Sequence, residues 1–275
     1  MVLFPNCKIN LGLNIISKRE DGFHNLETVF LPVAINDVLE VIQANNSPVP
    51  VDFTSSGLQI GGNPADNLCV KAYNLLKANY PQLPSVKMHL HKSIPMGAGL
   101  GGGSADGAFA LMLMNKKFGL GLSEAELIKY SLQLGSDCPF FIHNKPCFAT
   151  GRGEVLQEVG VNLTGYKLLL VNPGIHINTG WAFSHLKPQQ PTKSIRDIVL
   201  QPISTWKEEL FNDFELPVTT HHPVLQQLKA QLYAMGAQYA GMSGSGSTFF
   251  AIFDKYSQID YSNLPSNFFV KEIVV

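Results

Sequence analysis

The order of apolar and polar positions changes period several times along the chain, and each period predicts an element. Residues 8–16 (KINLGLNII) place apolar side chains at 9, 11, 13 and 15, the alternation of a half-buried strand. A polar turn around Asp21-Gly22 follows. Residues 28–35 and 38–42 predict two further strands. Residues 66–79 (DNLCVKAYNLLKAN) have helical spacing and an acidic start, and Pro81 and Pro84 stop them. Residues 85–91 (SVKMHLH) alternate again, with Val86, Met88 and Leu90 in phase. Residues 105–118 form a strongly apolar helix, with Gly119 placed just past its end. Ser123 and Glu126 supply an S-x-x-E capping box for a second helix that ends at Gly135.

The remainder continues this mixed character. Residues 166–171 (YKLLLV) read as a buried strand, 188–192 as a Pro/Gln-rich loop, and 224–235 as a helix ending at Gly236. Residues 249–253 and 268–275 predict closing strands. A split near residues 160–165 divides the chain into an N-terminal domain, 1–160, and a C-terminal domain, 161–275. No internal repeat or low-complexity tract is present.

Composition narrows the function classes. Of 275 residues, 45% are hydrophobic and 15% charged, and the formal net charge is −1. Disorder requires low hydrophobicity and high net charge, and this chain has neither. Near-neutrality argues against a protein built to grip nucleic acid or a membrane surface. The cysteines Cys7, Cys69, Cys138 and Cys147 are scattered without a C-x-x-C pair, which argues against a disulfide scaffold or a zinc site on paired cysteines. The first residues lack the basic start and apolar stretch of a signal peptide, so a cytoplasmic, reduced protein is the expectation.

The candidate chemistry lies between the strand at 85–91 and the helix at 105–118. There stand Pro95, Met96, Gly97, Ala98, Gly99, Leu100, Gly101, Gly102, Gly103 and Ser104, with five glycines among residues 97–104. Strand, glycine-rich loop and helix is the arrangement in which successive backbone N–H groups wrap a phosphate. The bland alternative is a tight turn between two elements. No GxxxxGK[ST] occurs, which excludes a P-loop NTPase on the motif. Gly97, Gly99 and Gly102 satisfy GxGxxG. However, the preceding strand is not fully apolar, and the acids Glu124 and Glu126 sit at a helix start rather than a strand end. A dehydrogenase is therefore a distant alternative.

Residues 95–104 resemble the ATP-binding motif of the GHMP kinases. Further segments resemble one cytidine-linked branch of that family: residues 5–11 (PNCKINL), 19–24 (REDGFH), 135–141 (GSDCPFF), 151–154 (GRGE), 172–174 with Thr179, 212–215 (NDFE) and 241–248 (GMSGSGST). The resemblance implies a two-lobed α+β fold with mixed and antiparallel sheets, helices, and an active-site cleft between the lobes. It implies ATP as phosphoryl donor, with Mg²⁺. It also implies phosphorylation of the 2-hydroxyl of a small molecule, a cytidine-diphosphate-linked methylerythritol, on the non-mevalonate route to isoprenoid precursors. Nucleic acid and membrane are not implied partners. Another alcohol kinase of the family and a catalytically silent nucleotide-binding protein are the competing readings.

Residue by residue, the resemblance makes Lys8 and Asp137 the catalytic pair. Asp137 follows a helix and precedes Pro139, so it sits at a chain reversal. As base it would take the hydroxyl proton, and a nearby ammonium would keep it ionised. An ordinary salt bridge is the alternative. His24 and Phe23 fall at the cytosine, where Phe replaces the more usual Tyr and loses a hydroxyl hydrogen bond. A solvated histidine is the plain alternative for His24. Phe183 is a candidate second stacking face or simple core packing. Asn10 is placed at the methylerythritol portion or the transferred phosphate. Gly241, Ser243, Gly244 and Ser245 border substrate and phosphates, while Thr179 and Asp213 belong to cleft architecture. Cys7 stands where Ala is more usual. Ala105 stands where a second Ser is common, leaving Ser104 as the one loop hydroxyl for a cation.

Overall fold

The computed structural model describes residues 1–45 and 47–275. In chain order the first elements are β1 (Val2–Leu3), β2 (Asn6–Lys18), β3 (His24–Asn36), β4 (Val38–Gln43) and β5 (Val51–Gly57). Next come α1 (Leu68–Asn79), β6 (Val86–Lys92), α2 (Gly102–Phe118), α3 (Glu124–Leu132) and α4 (Cys138–His143). Then β7 (Cys147–Thr150), β8 (Val155–Glu158), β9 (Tyr166–Asn172), α5 (Thr179–Ser184), α6 (Ile195–Ile198) and α7 (Ile203–Glu209) follow. The chain closes with α8 (Glu215–His221), α9 (Pro223–Ala234), β10 (Tyr239–Met242), β11 (Phe249–Asp254) and β12 (Phe269–Val274). The described chain is α+β, with three four-stranded sheets ordered β1-β4-β6-β5, β10-β11-β9-β12 and β2-β3-β7-β8. Among the described residues no helix is long and apolar enough to cross a membrane.

Two compact units are present, and they do not follow a single cut near residue 160. One comprises residues 1–8, 32–96 and 101–145; the other comprises 9–31, 97–100 and 146–275. The reason is that β2, β3 and the glycine loop each contribute to both, so compactness does not track chain order.

In the first unit β4 pairs antiparallel and β5 parallel with β6. The β6 alternation buries Val86, Met88, Leu90 and also Lys92. Helices α1 and α2 pack together beside the sheet. The predicted helix at 66–79 is in fact a short 3₁₀ turn, Pro64–Asp66, followed by α1, because the Asn67 side chain caps Cys69 N–H and starts a new helix. The second unit stacks α8 and α9 on the sheet containing β9 and β11. Leu169, Val171, Phe249, Ala251 and Phe253 join Val218, Leu225, Leu228 and Leu232 in one buried cluster.

Two local departures matter for function. Residues 6–13 of β2 are buried on both faces, so the alternation separates an apolar face from a polar one, Asn6, Lys8 and Asn10, that is also inside. Helix α2 begins at Gly102 rather than at 105. Gly101 takes the left-handed conformation, φ 69°, that turns the loop into the helix, and the next two glycines enter the first turn despite their poor propensity.

Within the second unit the two glycine-rich segments touch through backbone. A Cβ on Gly99 would stand 2.0 Å from the Ser243 carbonyl oxygen, and its φ is +79°. Thr248 N–H donates to Ala98 O at 3.3 Å, and Ser243 Oγ donates to Gly99 O at 2.8 Å. Gly99→Ala is therefore expected to lower stability by about 2–4 kcal/mol, through overlap and positive-φ strain. Gly103→Ala, where a Cβ meets nothing within 4 Å, serves as the control and is expected to stay within about 0.5 kcal/mol of the parent in urea or thermal unfolding.

Candidate active site

In the first unit the sequence-predicted pair comes together. Lys8 is held in β2 with its side chain 5% exposed, and Asp137 precedes α4 with its side chain 35% exposed. Lys8 Nζ lies 3.4 Å from Asp137 Oδ2. The glycine loop reaches the same place: a Cβ on Gly101 would stand 2.9 Å from the Phe141 ring and 3.2 Å from Lys8 Cε. The absence of a side chain there lets the loop's turn lie directly on the lysine stem. Ser104, in the first turn of α2, hydrogen-bonds the Cys138 thiol, which neighbours Asp137 in the chain. Burial pushes that thiol up to about 12, so it remains a protonated, inert neighbour. Gly102, Gly103 and Ser104 N–H groups open a 17-residue helix with no acidic side chain in its first turn. This is the terminus that favours an anion.

A metal ion has a narrow fit here. Among the described residues no group of three or more His, Cys, Asp or Glu side chains is placed to hold one. A single hydroxyl, Ser104, suits only the magnesium mode in which substrate phosphates and water supply most of the oxygens.

A second feature of this unit was not singled out in the sequence. Lys92 is 1% exposed and its ammonium contacts two carboxylates, Asp37 Oδ2 and, at 2.8 Å, Asp106 Oδ2. Asp37 Oδ1 accepts Ser93 N–H at 2.6 Å and Ile94 N–H at 2.9 Å, which fixes the chain just before the glycine loop. Asp106 Oδ1 is buried with no hydrogen-bond partner. Burial opposes the Lys92 charge, but the two carboxylates outweigh it and raise its pKa. Burial pushes Asp106 up to about 7; Lys92 works against that shift and Asp37 adds to it. A signal for this cluster existed: Lys92 continues the inward phase of Val86, Met88 and Leu90, an unlikely place for a lysine without a buried partner.

The second unit brings together Asn10 and the later glycine segment. Ser243 Oγ accepts Asn10 N–H at 3.2 Å, and Asn10 Nδ2 donates to Thr28 Oγ1 at 3.0 Å. Gly244 approaches Gly99 and the Asn10 side chain. Asn212 Nδ2 donates to the Met242 and Gly244 carbonyls at 2.7 and 2.8 Å, and Asn172 Nδ2 donates to Thr248 Oγ1 at 3.0 Å. These two asparagines thus hold the loop in shape. Thr179 Oγ1 lies 3.1 Å from Ser245 Oγ, and Gly241 lies within β10. Asp213 Oδ2 accepts Ile15 N–H at 2.7 Å, which ties its loop to β2.

His24 and Phe183 also meet in this unit, ring on ring, with centroids 4.6 Å apart and planes at 16°. Phe183 is further braced edge-on by Phe214 at 4.9 Å. His24 thereby occupies one face of Phe183. Burial, with Lys18 adding, lowers the His24 pKa. Phe23, the residue before His24, is 51% exposed.

Similarity to known proteins follows the same segments. Residues 67–145 match the model of the GHMP kinases N terminal domain, and residues 194–266 match that of the GHMP kinases C terminal domain. A 4-diphosphocytidyl-2-C-methyl-D-erythritol kinase from Bacteroides fragilis is 50% identical over 264 residues, covering 95% of this chain and 96% of that protein. One from Cytophaga hutchinsonii is likewise 50% identical, over 96% of each chain. Among solved structures, a 4-(cytidine 5'-diphospho)-2C-methyl-D-erythritol kinase superposes with a TM-score of 0.77 at 29% identity, over 92% of this chain and 90% of that one. The mevalonate kinase of Methanococcus jannaschii superposes with a TM-score of 0.68 at 13% identity, over 99% and 97% of the two chains, a likeness of fold alone.

The buried charge cluster generates a pH prediction. Unfolded Asp106 releases its proton near the ordinary aspartate value of ~3.9. The folded side chain holds its proton until about 7. The folded chain therefore binds more protons across that window, and stability falls as pH rises through it. Asp106→Asn removes this slope, so its melting temperature relative to the parent is expected to climb between about pH 4 and pH 7. A difference that stays constant across that range would mean Asp106 is charged throughout.

Proposed function

This chain belongs to the GHMP kinase family, in the group of 4-diphosphocytidyl-2-C-methyl-D-erythritol kinases, and on that footing we propose that it uses ATP to phosphorylate the 2-hydroxyl of 4-diphosphocytidyl-2-C-methyl-D-erythritol. The observation that carries the reading is the Lys8–Asp137 pair, at 3.4 Å, with the turn of the glycine loop lying on the lysine stem. The reaction is a step of the non-mevalonate route to isoprenoid precursors.

Backbone N–H groups of the loop and the first turn of α2 hold the nucleotide's phosphates, and the helix dipole favours their charge. The Asp137 carboxylate accepts the proton of the 2-hydroxyl as that oxygen bonds the γ-phosphorus and the bond to ADP breaks. The Lys8 ammonium, two residues before Asn10 on the same strand, steadies the substrate oxygen while its charge develops. Magnesium, when bound, neutralises phosphate charge, with Ser104 the protein hydroxyl that would hold it. His24, Phe23 and Phe183 serve the cytosine, with Asn10 and Thr179 nearer the rest of the substrate. Gly241, Ser243, Gly244 and Ser245 give the phosphate end its walls.

An ADP-release assay with the cytidine-linked alcohol, run beside homoserine and mevalonate, tests this reading. Turnover is expected with the first alone. Asp137→Asn is expected to lower kcat by about 10²- to 10⁴-fold while the KM for ATP stays within about twofold, the pattern of a lost base. His24→Ala is expected to raise the KM for the cytidine-linked alcohol and leave that for ATP unchanged. Parental turnover by the Asp137 variant would remove the base assignment.

A further inference from the structure

Phe23 is a half-exposed phenyl ring at the tip of the turn between β2 and β3, yet it is held from two directions. The backbone is the first. Asp21 Oδ1 accepts Phe23 N–H at 3.1 Å, and Arg19 N–H donates to Phe23 O at 2.8 Å. The Arg19 guanidinium binds both Asp21 oxygens, at 2.9–3.1 Å, and Asn25 Oδ1 at 3.1 Å. The ring itself is the second. The guanidinium carbon of Arg152 stands 4.8 Å from its centroid.

Arg152 comes from a different turn, the one joining β7 to β8. Leu26 N–H donates to Gly151 O at 2.8 Å and draws the two turns together. Glu154 then aims the arginine: Oε2 accepts the Arg152 backbone N–H at 2.5 Å, and Oε1 lies 3.6 Å from Nε. All of these residues belong to the second compact unit, as do His24 and Phe183. A solitary exposed phenyl ring needs no explanation. A ring whose backbone is tied and one of whose faces is covered by a guanidinium has lost the rotational freedom it would otherwise have to surrender on binding a planar ligand.

We propose that Arg152 is a positioning residue for the base end of the substrate: it covers one face of Phe23 and so presents the other face to the cytosine. This rests on the function proposed above. The guanidinium acts through the ring and touches neither the phosphates nor the reacting hydroxyl. It also gives this chain a rigid platform without the hydroxyl that a tyrosine would bring.

The test combines calorimetry of cytidine monophosphate and cytidine diphosphate with steady-state kinetics on the full chain. In Arg152→Ala, affinity for both nucleotides is expected to fall by the same factor, about fivefold for an exposed cation–π contact. The KM for the cytidine-linked alcohol is expected to rise similarly, with kcat and the KM for ATP at parental values. Arg152→Lys, which keeps a cation, recovers part of the loss; Arg152→Gln does not. On a Phe23→Ala background, Arg152→Ala adds no further loss. Unchanged nucleotide affinity, a loss that grows from monophosphate to diphosphate, or additivity with Phe23→Ala would each overturn the proposal. A folded parent protein that binds neither nucleotide and leaves the alcohol unphosphorylated would overturn both this inference and the function beneath it. Binding and turnover by the parent, with Arg152→Ala indistinguishable from it, would overturn this inference alone.

Discussion

The placement of the glycine loop depends on one buried ammonium. Lys92 closes β6, Asp37 joins β3 to β4, and Asp106 lies in the second turn of α2; all three meet in the interior of the first unit. Through Asp37 the charge also fixes the N–H groups of Ser93 and Ile94. The strand that leads into the loop and the helix that leaves it are thus tied to the same point. The residues between can follow a path dictated by backbone geometry alone. Removing the ammonium would strand two carboxylates away from water, and breaking a buried pair of this kind costs about 3–5 kcal/mol. One ammonium facing two carboxylates leaves a surplus negative charge, and a proton held by Asp106 relieves it.

Phosphate recognition and base recognition draw on different physics. On the proposed reading, the donors at the phosphate end are backbone N–H groups at a helix start, with Lys8 as the added cation. On that reading a chain of net charge −1 needs no basic surface to hold an anionic nucleotide. At the proposed base end the groups are rings, and the charge of Arg152 beside Phe23 holds an aromatic surface in place.

Much of this was legible in the sequence, for physical reasons that differ by element. The strand at Tyr166–Asn172 and the helix at Pro223–Ala234 lie close to where hydrophobic period placed them, because each buries one continuous apolar face. The Ser123–Glu126 box is formed in both directions. The Lys8–Asp137 proximity followed from motif resemblance, since a salt bridge between residues this far apart leaves no periodic trace. What escaped was of two kinds. Short elements such as α4, α6 and β10 are set by tertiary packing rather than by their own few residues. The polar interior of β2 and the Lys92 cluster escaped because alternation marks faces, and a polar face is ordinarily the wet one. Helix α2 starts three residues before its apolar periodicity begins, because loop geometry imposes a helical turn that glycine propensity argues against.

The closest approach of Gly99 to Ser243 is main chain against main chain, with the Ser243 hydroxyl bonded to the Gly99 carbonyl beside it. The main-chain part of that contact cannot be retuned by exchanging one amino acid for another; it is either kept or lost. On the proposed reading, divergence in which base is accepted would then fall at positions such as Phe23, His24 and Arg152, which take no part in that seam. The molecule is in this sense divided into a part closed to mutational exploration and a part open to it, and its evolutionary history should be written in the second.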